Sequence, residues 1–210
     1  SSLAMLLPMI SQIILGSTLG FAAAVTPGPM QAYFLSQTII NGWRRTLPAA
    51  FAPLITDGPI IILVLLIITR VPPALLQWLQ VLGGIFVIYL GWGAIRSYLT
   101  SFGTFSPNLD GGGHSLRGAV IMNMLNPNPY IFWSTILGPI LLDGWRRSPG
   151  MGVAFIMGFY TAMTGISMGF ILMSDFVRHL GPRIMRISRG ISGLVLILFG
   201  CYQLWSGFVD

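Results

Sequence analysis

The stretch Thr26-Pro27-Gly28-Pro29 decides the fold, because it interrupts an apolar run that is otherwise suited to crossing a membrane. Two prolines beside a glycine remove backbone donors and allow unusual dihedral angles, so a regular helix cannot continue through them. Within a bilayer, such a break persists only where its freed backbone groups are buried in protein or line a wet cavity. A second break follows at Asn126-Pro127-Asn128-Pro129. The two breaks are therefore predicted to form the functional site of the protein.

The composition predicts an integral membrane protein. Of the 210 residues, 54% are hydrophobic and only 8% are charged, whereas soluble domains carry about 25% charged residues. The charged residues are eleven arginines and five aspartates, without lysine or glutamate. No basic run stands outside an apolar context, so the net charge of +6 favours membrane edges over nucleic acid as the environment of the arginines.

Six apolar segments are long enough to cross a bilayer, which takes roughly 20 residues. They cover approximately residues 10–41, 48–70, 77–98, 116–143, 150–174 and 187–208. Residues 100–115 are polar and glycine-rich, which predicts a flexible linker. This linker separates a first three-helix part, residues 1–99, from a second, residues 116–210. The expected fold is an all-α membrane protein with six transmembrane helices.

The two halves repeat each other. Three features recur in the same order at offsets of 100, 102 and 109: the Pro-x-Pro breaks, a Gly-Trp-Arg-Arg turn at residues 42–45 and 144–147, and glycine pairs Gly84/Gly91 and Gly193/Gly200. Each half has three crossings, an odd number, so the second half must enter the membrane from the opposite face. This is an inverted-topology repeat, which is typical of secondary transporters. The first and fourth transmembrane helices, residues 10–41 and 116–143, are the two that the Pro-x-Pro motifs interrupt.

Arginine counting predicts the orientation. If the N-terminus is outside, eight arginines fall in inside loops and only Arg70, Arg146 and Arg147 fall outside. Arginine and lysine are enriched in cytoplasmic loops. Both termini are therefore expected outside a cell membrane that the chain crosses several times.

The two breaks are expected to face each other near the middle of the membrane. At about 1.5 Å per residue, Pro127 lies roughly 15 Å from Arg117, which should mark one edge of its segment. A broken helix offers amides to an anion and carbonyls to a cation, so an amphoteric solute fits such a pair. The candidate binding residues at the breaks are Thr26, Pro27, Gly28, Pro29, Asn123, Asn126, Pro127 and Asn128. The alternative is that each Pro-x-Pro only kinks a packed helix.

Asp57 is the one acid that is difficult to place in a loop. Its segment must begin near Pro48, which puts Asp57 roughly 13 Å into the bilayer. A carboxylate at that depth is costly, and it is a functional-site candidate by default. We expect it to bind a substrate ammonium group or to carry a proton. The alternative is a structural cap, because Pro53, Gly58 and Pro59 surround it.

Other chemistries lack support in the sequence. We find no Walker loop, no metal-ligand cluster and no nucleophile–base pair, so we expect neither an enzyme nor a bound cofactor or metal. The single cysteine, Cys201, excludes an internal disulfide. Gly165 and Gly169 form a G-x-x-x-G pattern, which can be the face of a homodimer but more often packs helices within one chain.

These motifs resemble the lysine exporter (LysE) family of amino-acid exporters, which includes the homoserine/threonine exporters. The resemblance rests on Thr26 to Pro29 after Gly20-Phe21, on Asn126-Pro127 and on Asp57-Gly58. It implies six helices and secondary, proton-driven export of amino acids or similar small solutes. The sequence departs from the family at Asn128, where a lysine is common, and at Phe51 to Pro53, where glycines are usual.

The favoured hypothesis is therefore a proton-coupled exporter of amino acids or related amphoteric metabolites, with protons, membrane lipids and a small solute as its partners. One alternative is an exporter of small cations or metals, although a single intramembrane acid argues against it. Another is a membrane module that transports nothing and serves structure or assembly. Such a module would not need paired breaks beside an acid.

Overall fold

The computed structural model describes residues 2–26, 28–66, 73–99, 112–179 and 182–209, and these residues are helical apart from short turns. The α-helices are α1 (Ser2–Val25), α2 (Pro29–Asn41), α3 (Trp43–Thr46), α4 (Ala52–Leu66), α5 (Pro73–Leu99), α6 (Gly112–Met124), α7 (Pro127–Phe132), α8 (Gly138–Arg147), α9 (Pro149–His179) and α10 (Pro182–Val209). A 3₁₀ segment, Leu47–Phe51, leads into α4, and a π-helical segment, Trp133–Leu137, joins α7 to α8.

Four stretches of the described residues are long and apolar enough to cross a membrane: Leu6–Val25, Trp43–Leu63, Pro149–Phe176 and Arg186–Phe208. A shorter apolar stretch, Gln80–Arg96, lies within α5. The fourth predicted crossing is divided among α6, α7 and α8, and each of these pieces is shorter than a bilayer requires. The chain is thus a helical membrane protein with several crossings, while the sixfold count stays a prediction.

Both Pro-x-Pro stretches lie where one helix ends and the next begins. Helix α1 ends at Val25 and α2 begins at Pro29, with Thr26 and Gly28 outside regular helix. Pro27 lies outside the described residues. Helix α6 ends at Met124 and α7 begins at Pro127. Proline suits the first position of a helix, because its missing N–H would have no intrahelical partner there.

Two helix boundaries differ from those expected from the sequence. Helix α1 begins at Ser2 and not near residue 10. Helix α6 begins at Gly112, inside the predicted linker of residues 100–115, while residues 100–111 lie outside the described part of the chain. The glycines at the start of α6 have low helix propensity, but propensity is a weak preference that tertiary packing overrides.

The helices belong to two compact units. The first comprises Ser1–Thr26, Gly58–Val71 and Pro129–Met168, and the second comprises Pro27–Asp57, Pro72–Asn128 and Gly169–Asp210. Each unit takes segments from both sequence repeats.

In the first unit, α1 packs closely on α9. A Cβ atom added to Gly16 would collide with the carbonyl oxygen of Phe155, and one added to Gly20 would collide with that of Phe159. The Ser17 hydroxyl donates a 3.3 Å hydrogen bond to the carbonyl of Gly158. Nearer the start of both helices, the side chain of Met9 lies beside Gly150, so α1 and α9 run parallel.

In the second unit, α5 and α10 pack antiparallel through two reciprocal glycine pairs. A Cβ on Gly91 would lie 2.7 Å from the carbonyl oxygen of Gly193, and one on Gly193 would lie 2.9 Å from that of Gly91. Gly84 and Gly200 face each other in the same way, at 2.8 and 2.7 Å. These distances are shorter than any normal carbon contact, so only glycine lets the two backbones approach this closely.

The repeated Gly-Trp-Arg-Arg turns have different local structures. Gly42 ends α2 with a positive φ of 85°, and the N–H of Trp43 then donates a 3.3 Å bond to the carboxylate of Asp175. Residues 144–147 instead form the last turn of α8, where Arg147 and Asp143 make a 2.9 Å salt bridge on the exposed surface. Similar sequences at the two positions therefore end their helices differently.

Candidate functional site

Asp57 lies in a buried polar cluster with Thr56 and Asn123. The exposed fractions of these side chains are 4%, 0% and 6%. The side-chain amide of Asn123 donates a 2.6 Å hydrogen bond to the Thr56 hydroxyl oxygen and a longer one, 3.5 Å, to Asp57 Oδ1. All three residues belong to the second unit. The cluster joins α4, which carries the acid, to α6, which ends at the second helix break.

Thr56 is the central member of this cluster. Its oxygen accepts from Asn123. Its single hydroxyl hydrogen has three acceptors within reach, which are the carbonyl of Ala52 at 3.1 Å, the carbonyl of Pro53 at 3.4 Å and Asp57 Oδ1 at 3.4 Å. A hydroxyl that accepts and donates at once polarises both bonds in a low-dielectric site. Thr56 therefore lies in contact with both the Asp57 carboxylate and the Asn123 amide, and its own hydroxyl is held to the α4 backbone.

A second buried network connects α2 to α6 in the same unit. The Tyr33 hydroxyl donates a 2.9 Å bond to the carbonyl of Ser115, and the Ser115 hydroxyl donates a 3.4 Å bond to Gln37 Oε1. The amide of Asn41 donates a 2.8 Å bond to the same Gln37 oxygen. Tyr33, Gln37 and Asn41 are four residues apart, so they lie on one face of α2. This face packs against the first turns of α6.

The register of α2 against α6 relates the start of α2 to the Asp57 cluster. The Tyr33 hydroxyl lies so close to Gly118 that a Cβ there would collide with it, while Gln37 contacts Ser115. The two helices therefore run antiparallel. Counting four residues back along α2 and four forward along α6, at about 1.5 Å per residue, places Pro29 alongside Met122 and Asn123.

At the second break, the side chain of Asn126 caps the helix that follows. Asn126 Oδ1 accepts a 3.1 Å bond from the backbone N–H of Asn128, which is the hydrogen bond of a helix N-cap. On the other side of the break, the Gln203 amide of α10 donates a 3.3 Å bond to the carbonyl of Leu125. Asn126 thus has a structural role at the start of α7, whereas the Asn128 side chain is exposed.

The described residues of the first break have their own polar contacts. The Thr26 hydroxyl, in the first unit, donates a 2.6 Å bond to the carbonyl of Ala22 at the end of α1. Gly28 is extended, with φ −173° and ψ −175°, and its carbonyl accepts the first helical bond of α2, from Ala32.

The predicted site residues thus fall into three groups with different contacts. Asp57 and Asn123 are in contact, Asn126 and Asn128 share the cap of α7, and Gly28 with Pro29 begins α2. The sequence reasoning missed Thr56 and the polar face of α2. Both left a signal: Thr56 adjoins the acid, and Tyr33, Gln37 and Asn41 follow the four-residue spacing of a helix face inside an apolar segment.

The described residues are helical, and four stretches of them are long and apolar enough to cross a membrane, which defines the class of multi-pass helical membrane proteins. The family model described as LysE type translocator matches residues 21–207, which is most of the chain. The protein belongs to the LysE type translocator family. Its members are transporters, and membership supports the movement of amino acids or related compounds across a membrane. Neither a curated protein nor a solved structure matches the chain.

Proposed function

We propose that this protein is a proton-coupled exporter of amino acids or related amphoteric metabolites in the cell membrane. Its solute site includes the start of α2 at Gly28 and Pro29, the Asp57 cluster, and the second break at Asn126 to Asn128. Thr26 and Pro27 complete the first break. The observation that carries the proposal is the buried contact of Asp57 with Thr56 and Asn123 in a membrane-spanning chain.

The burial of Asp57 is the first argument. A polar group kept in a low-dielectric interior costs free energy unless it is hydrogen-bonded, and a carboxylate costs the most. Membrane proteins keep such groups mainly where an ion or a substrate is handled. Asp57 contacts the hydroxyl of Thr56 and the side-chain amide of Asn123. A buried carboxylate in a membrane-spanning segment suits a site that binds a proton or a substrate ammonium group.

The position of α2 is the second argument. The N-terminus of a helix carries positive dipole charge and backbone amides that favour an anion such as a carboxylate. The antiparallel register places this end alongside Asn123, which contacts Asp57. A helix start next to a buried acid provides one site for each charge of a zwitterion. Amino acids have this pair of charges in a small volume.

The helix directions support an inverted repeat with six crossings. Each glycine meets the counterpart of the other one: Gly84 meets Gly200, the counterpart of Gly91, and Gly91 meets Gly193, the counterpart of Gly84. Isologous contacts produced by twofold symmetry have this pattern. The parallel packing of α1 with α9 and the antiparallel packing of α2 with α6 also agree with this path. We therefore propose two repeats, residues 1–99 and 116–210, with both termini outside and alternating access to a site at the two breaks.

Transport by proteoliposomes tests the proposal. The liposomes are loaded with a panel of labelled amino acids and, separately, with monovalent and divalent cations. The external pH is then set below the internal pH. We expect one or more amino acids to leave faster with the gradient than without it, because inward proton flow drives outward solute flow. Movement of cations without movement of any amino acid would show that the substrates are cations. Movement of no solute would reject a transport function.

Asp57→Asn provides the site-specific arm of this experiment. The substitution keeps the size of the side chain and removes its charge and its proton, so gradient-driven efflux should fall at least tenfold, a loss of about 1.4 kcal/mol or more. Asp143→Asn is the matched control, because Asp143 is exposed and pairs with Arg147 on the surface. Full gradient-driven efflux by a monodisperse Asp57→Asn protein would remove Asp57 from the mechanism.

A further inference from the structure

We propose that a groove at one end of α5 and α10 binds an anionic phospholipid, with an acyl chain on its apolar walls and the phosphate on Arg186. The groove lies wholly in the second unit and is lined by residues of α5 and α10. The residues of the Asp57 cluster belong to other helices, α4 and α6. It is a lipid site in addition to the proposed solute site.

The walls of the groove are apolar. The groove has a volume of about 320 Å³ and opens to the surroundings on one side, and its walls come from α5 and α10: Ile95, Leu99, Ile187, Ile191 and Leu194. Leu99, Ile187, Ile191 and Leu194 are each about half exposed. In a membrane-spanning protein, apolar side chains exposed on the outer surface of a helix pair contact lipid chains. The groove therefore offers an acyl chain a concave seat.

Gly190 lets the Tyr98 ring lie close to the backbone of α10. This residue has no side chain, and a Cβ there would lie 3.2 Å from the ring of Tyr98 on α5. Closer to the middle of the helices, the glycine pairs hold the two backbones together. The Tyr98 ring thus faces Gly190, and both residues line the groove.

Arg186 lies against Tyr98, one of the residues that line the groove. Its Nε donates a 3.1 Å bond to the carbonyl of Tyr98, and its guanidinium carbon lies 5.1 Å from the centre of the Tyr98 ring. A guanidinium group has five N–H donors, and the bond to Tyr98 uses one. The remaining donors form a planar fork that matches phosphate oxygens. The side chain is thus oriented in advance for a phosphate beside the apolar groove.

The location fits the headgroup region of a membrane. The apolar stretch of α5 ends at Arg96, and that of α10 begins at Arg186, so these residues lie at the same end of the antiparallel pair. Arg183 and Arg96 are also exposed there. At the opposite end, Trp78 and Trp205 are exposed, as expected for an aromatic belt.

Charge and shape together favour a phospholipid over a free anion. Basic pockets between membrane helices on the cytoplasmic side recognise anionic headgroups, and the positive-inside orientation predicted above puts this end in the cytoplasm. A free phosphate would use Arg186 but would leave the apolar groove unused. A zwitterionic lipid would fill the groove but would bring its own positive charge next to Arg186.

Native mass spectrometry of the purified full chain tests the site. The protein is exchanged into detergent with either phosphatidylglycerol or phosphatidylcholine of the same chains, and the bound lipid is counted. We expect preferential retention of phosphatidylglycerol by the wild type. Arg186→Gln should weaken that retention about fivefold, the effect of about one basic side chain near an anionic surface. Arg146→Gln, which removes an exposed arginine of the first unit, should leave it unchanged.

Further arms separate the headgroup from the chain and the lipid from other anions. Ile191→Gln should weaken retention of both lipids, because it places a polar group on the groove wall. Inorganic phosphate at millimolar concentration should not displace phosphatidylglycerol. Equal retention of the two lipids by the wild type, equal losses in Arg186→Gln and Arg146→Gln, or displacement by phosphate alone would each overturn the proposal. Monodisperse elution of every variant on size-exclusion chromatography excludes misfolding as the cause of a loss.

Discussion

The side-chain amide of Asn123 donates a 2.6 Å hydrogen bond to the hydroxyl of Thr56, a residue 67 positions earlier in the chain. Because Thr56 also contacts the Asp57 carboxylate, this bond connects the acid to the helix that ends at the second break. A hydrogen bond between membrane helices contributes roughly 0.6 kcal/mol on average and up to about 2 kcal/mol. Its main consequence is geometric, since it fixes the acid relative to α6.

The first prediction concerns the energy of this bond. A double-mutant cycle with Thr56→Val and Asn123→Ala should give a coupling free energy of about 0.6–2 kcal/mol, measured by unfolding in mixed micelles. The control cycle pairs Thr56→Val with Arg147→Gln. Arg147 bonds Asp143 and shares no described partner with Thr56, so the two effects should add. Additive behaviour in the Thr56–Asn123 cycle would show that the contact is energetically unimportant.

The second prediction concerns the glycine pairs of α5 and α10. Gly91→Ala and Gly193→Ala place a Cβ less than 3 Å from the facing carbonyl, so each should lower the free energy of unfolding by about 1–3 kcal/mol. Gly165→Ala is the matched control on α9, because a Cβ there meets no described atom within 4 Å. That variant should be neutral or stabilising by up to about 1 kcal/mol, through better helix propensity. Equal effects in all three variants would contradict the close packing.

The third prediction separates the two possible roles of Asn126. Since Asn126 caps α7, Asn126→Ala should destabilise the protein by about 1 kcal/mol, whereas Asn126→Ser, which retains a capping oxygen, should cost less. Transport is then measured on both variants at a temperature where both are folded. If Asn126 acts only as a cap, Asn126→Ser transports normally. Loss of transport in a stable Asn126→Ser protein indicates direct contact with the solute.

The sequence predicted those features that depend on local chemistry. Proline without an N–H at Pro29 and Pro127 indicates where helices begin, and apolar composition indicates a membrane protein. A carboxylate in an apolar segment is also recognisable from the sequence, because its burial is costly. In the structure Asp57 is indeed buried.

Pairings across long sequence distances could not be predicted in this way. The contacts of Thr56 with Asn123 and of Tyr33 with Ser115 depend on which helices become neighbours. The spacing of residues within one helix does not contain that information. The bond from the N–H of Trp43 to Asp175, 132 residues later, is a further pairing of this kind.

The last prediction tests the inverted repeat directly. Arg44 and Arg146 occupy equivalent positions of the two halves, 102 residues apart, and both side chains are exposed. An inverted repeat places them on opposite sides of the membrane, whereas a repeat of the same orientation places them on one side. We expect that in a Cys201→Ser background an impermeant maleimide, added to intact cells, labels Arg146→Cys. It should label Arg44→Cys only after the membrane is permeabilised, because that position is expected on the cytoplasmic side. Equal labelling of both variants in intact cells would exclude the inverted topology, and the reverse pattern would keep the repeat but invert the predicted orientation.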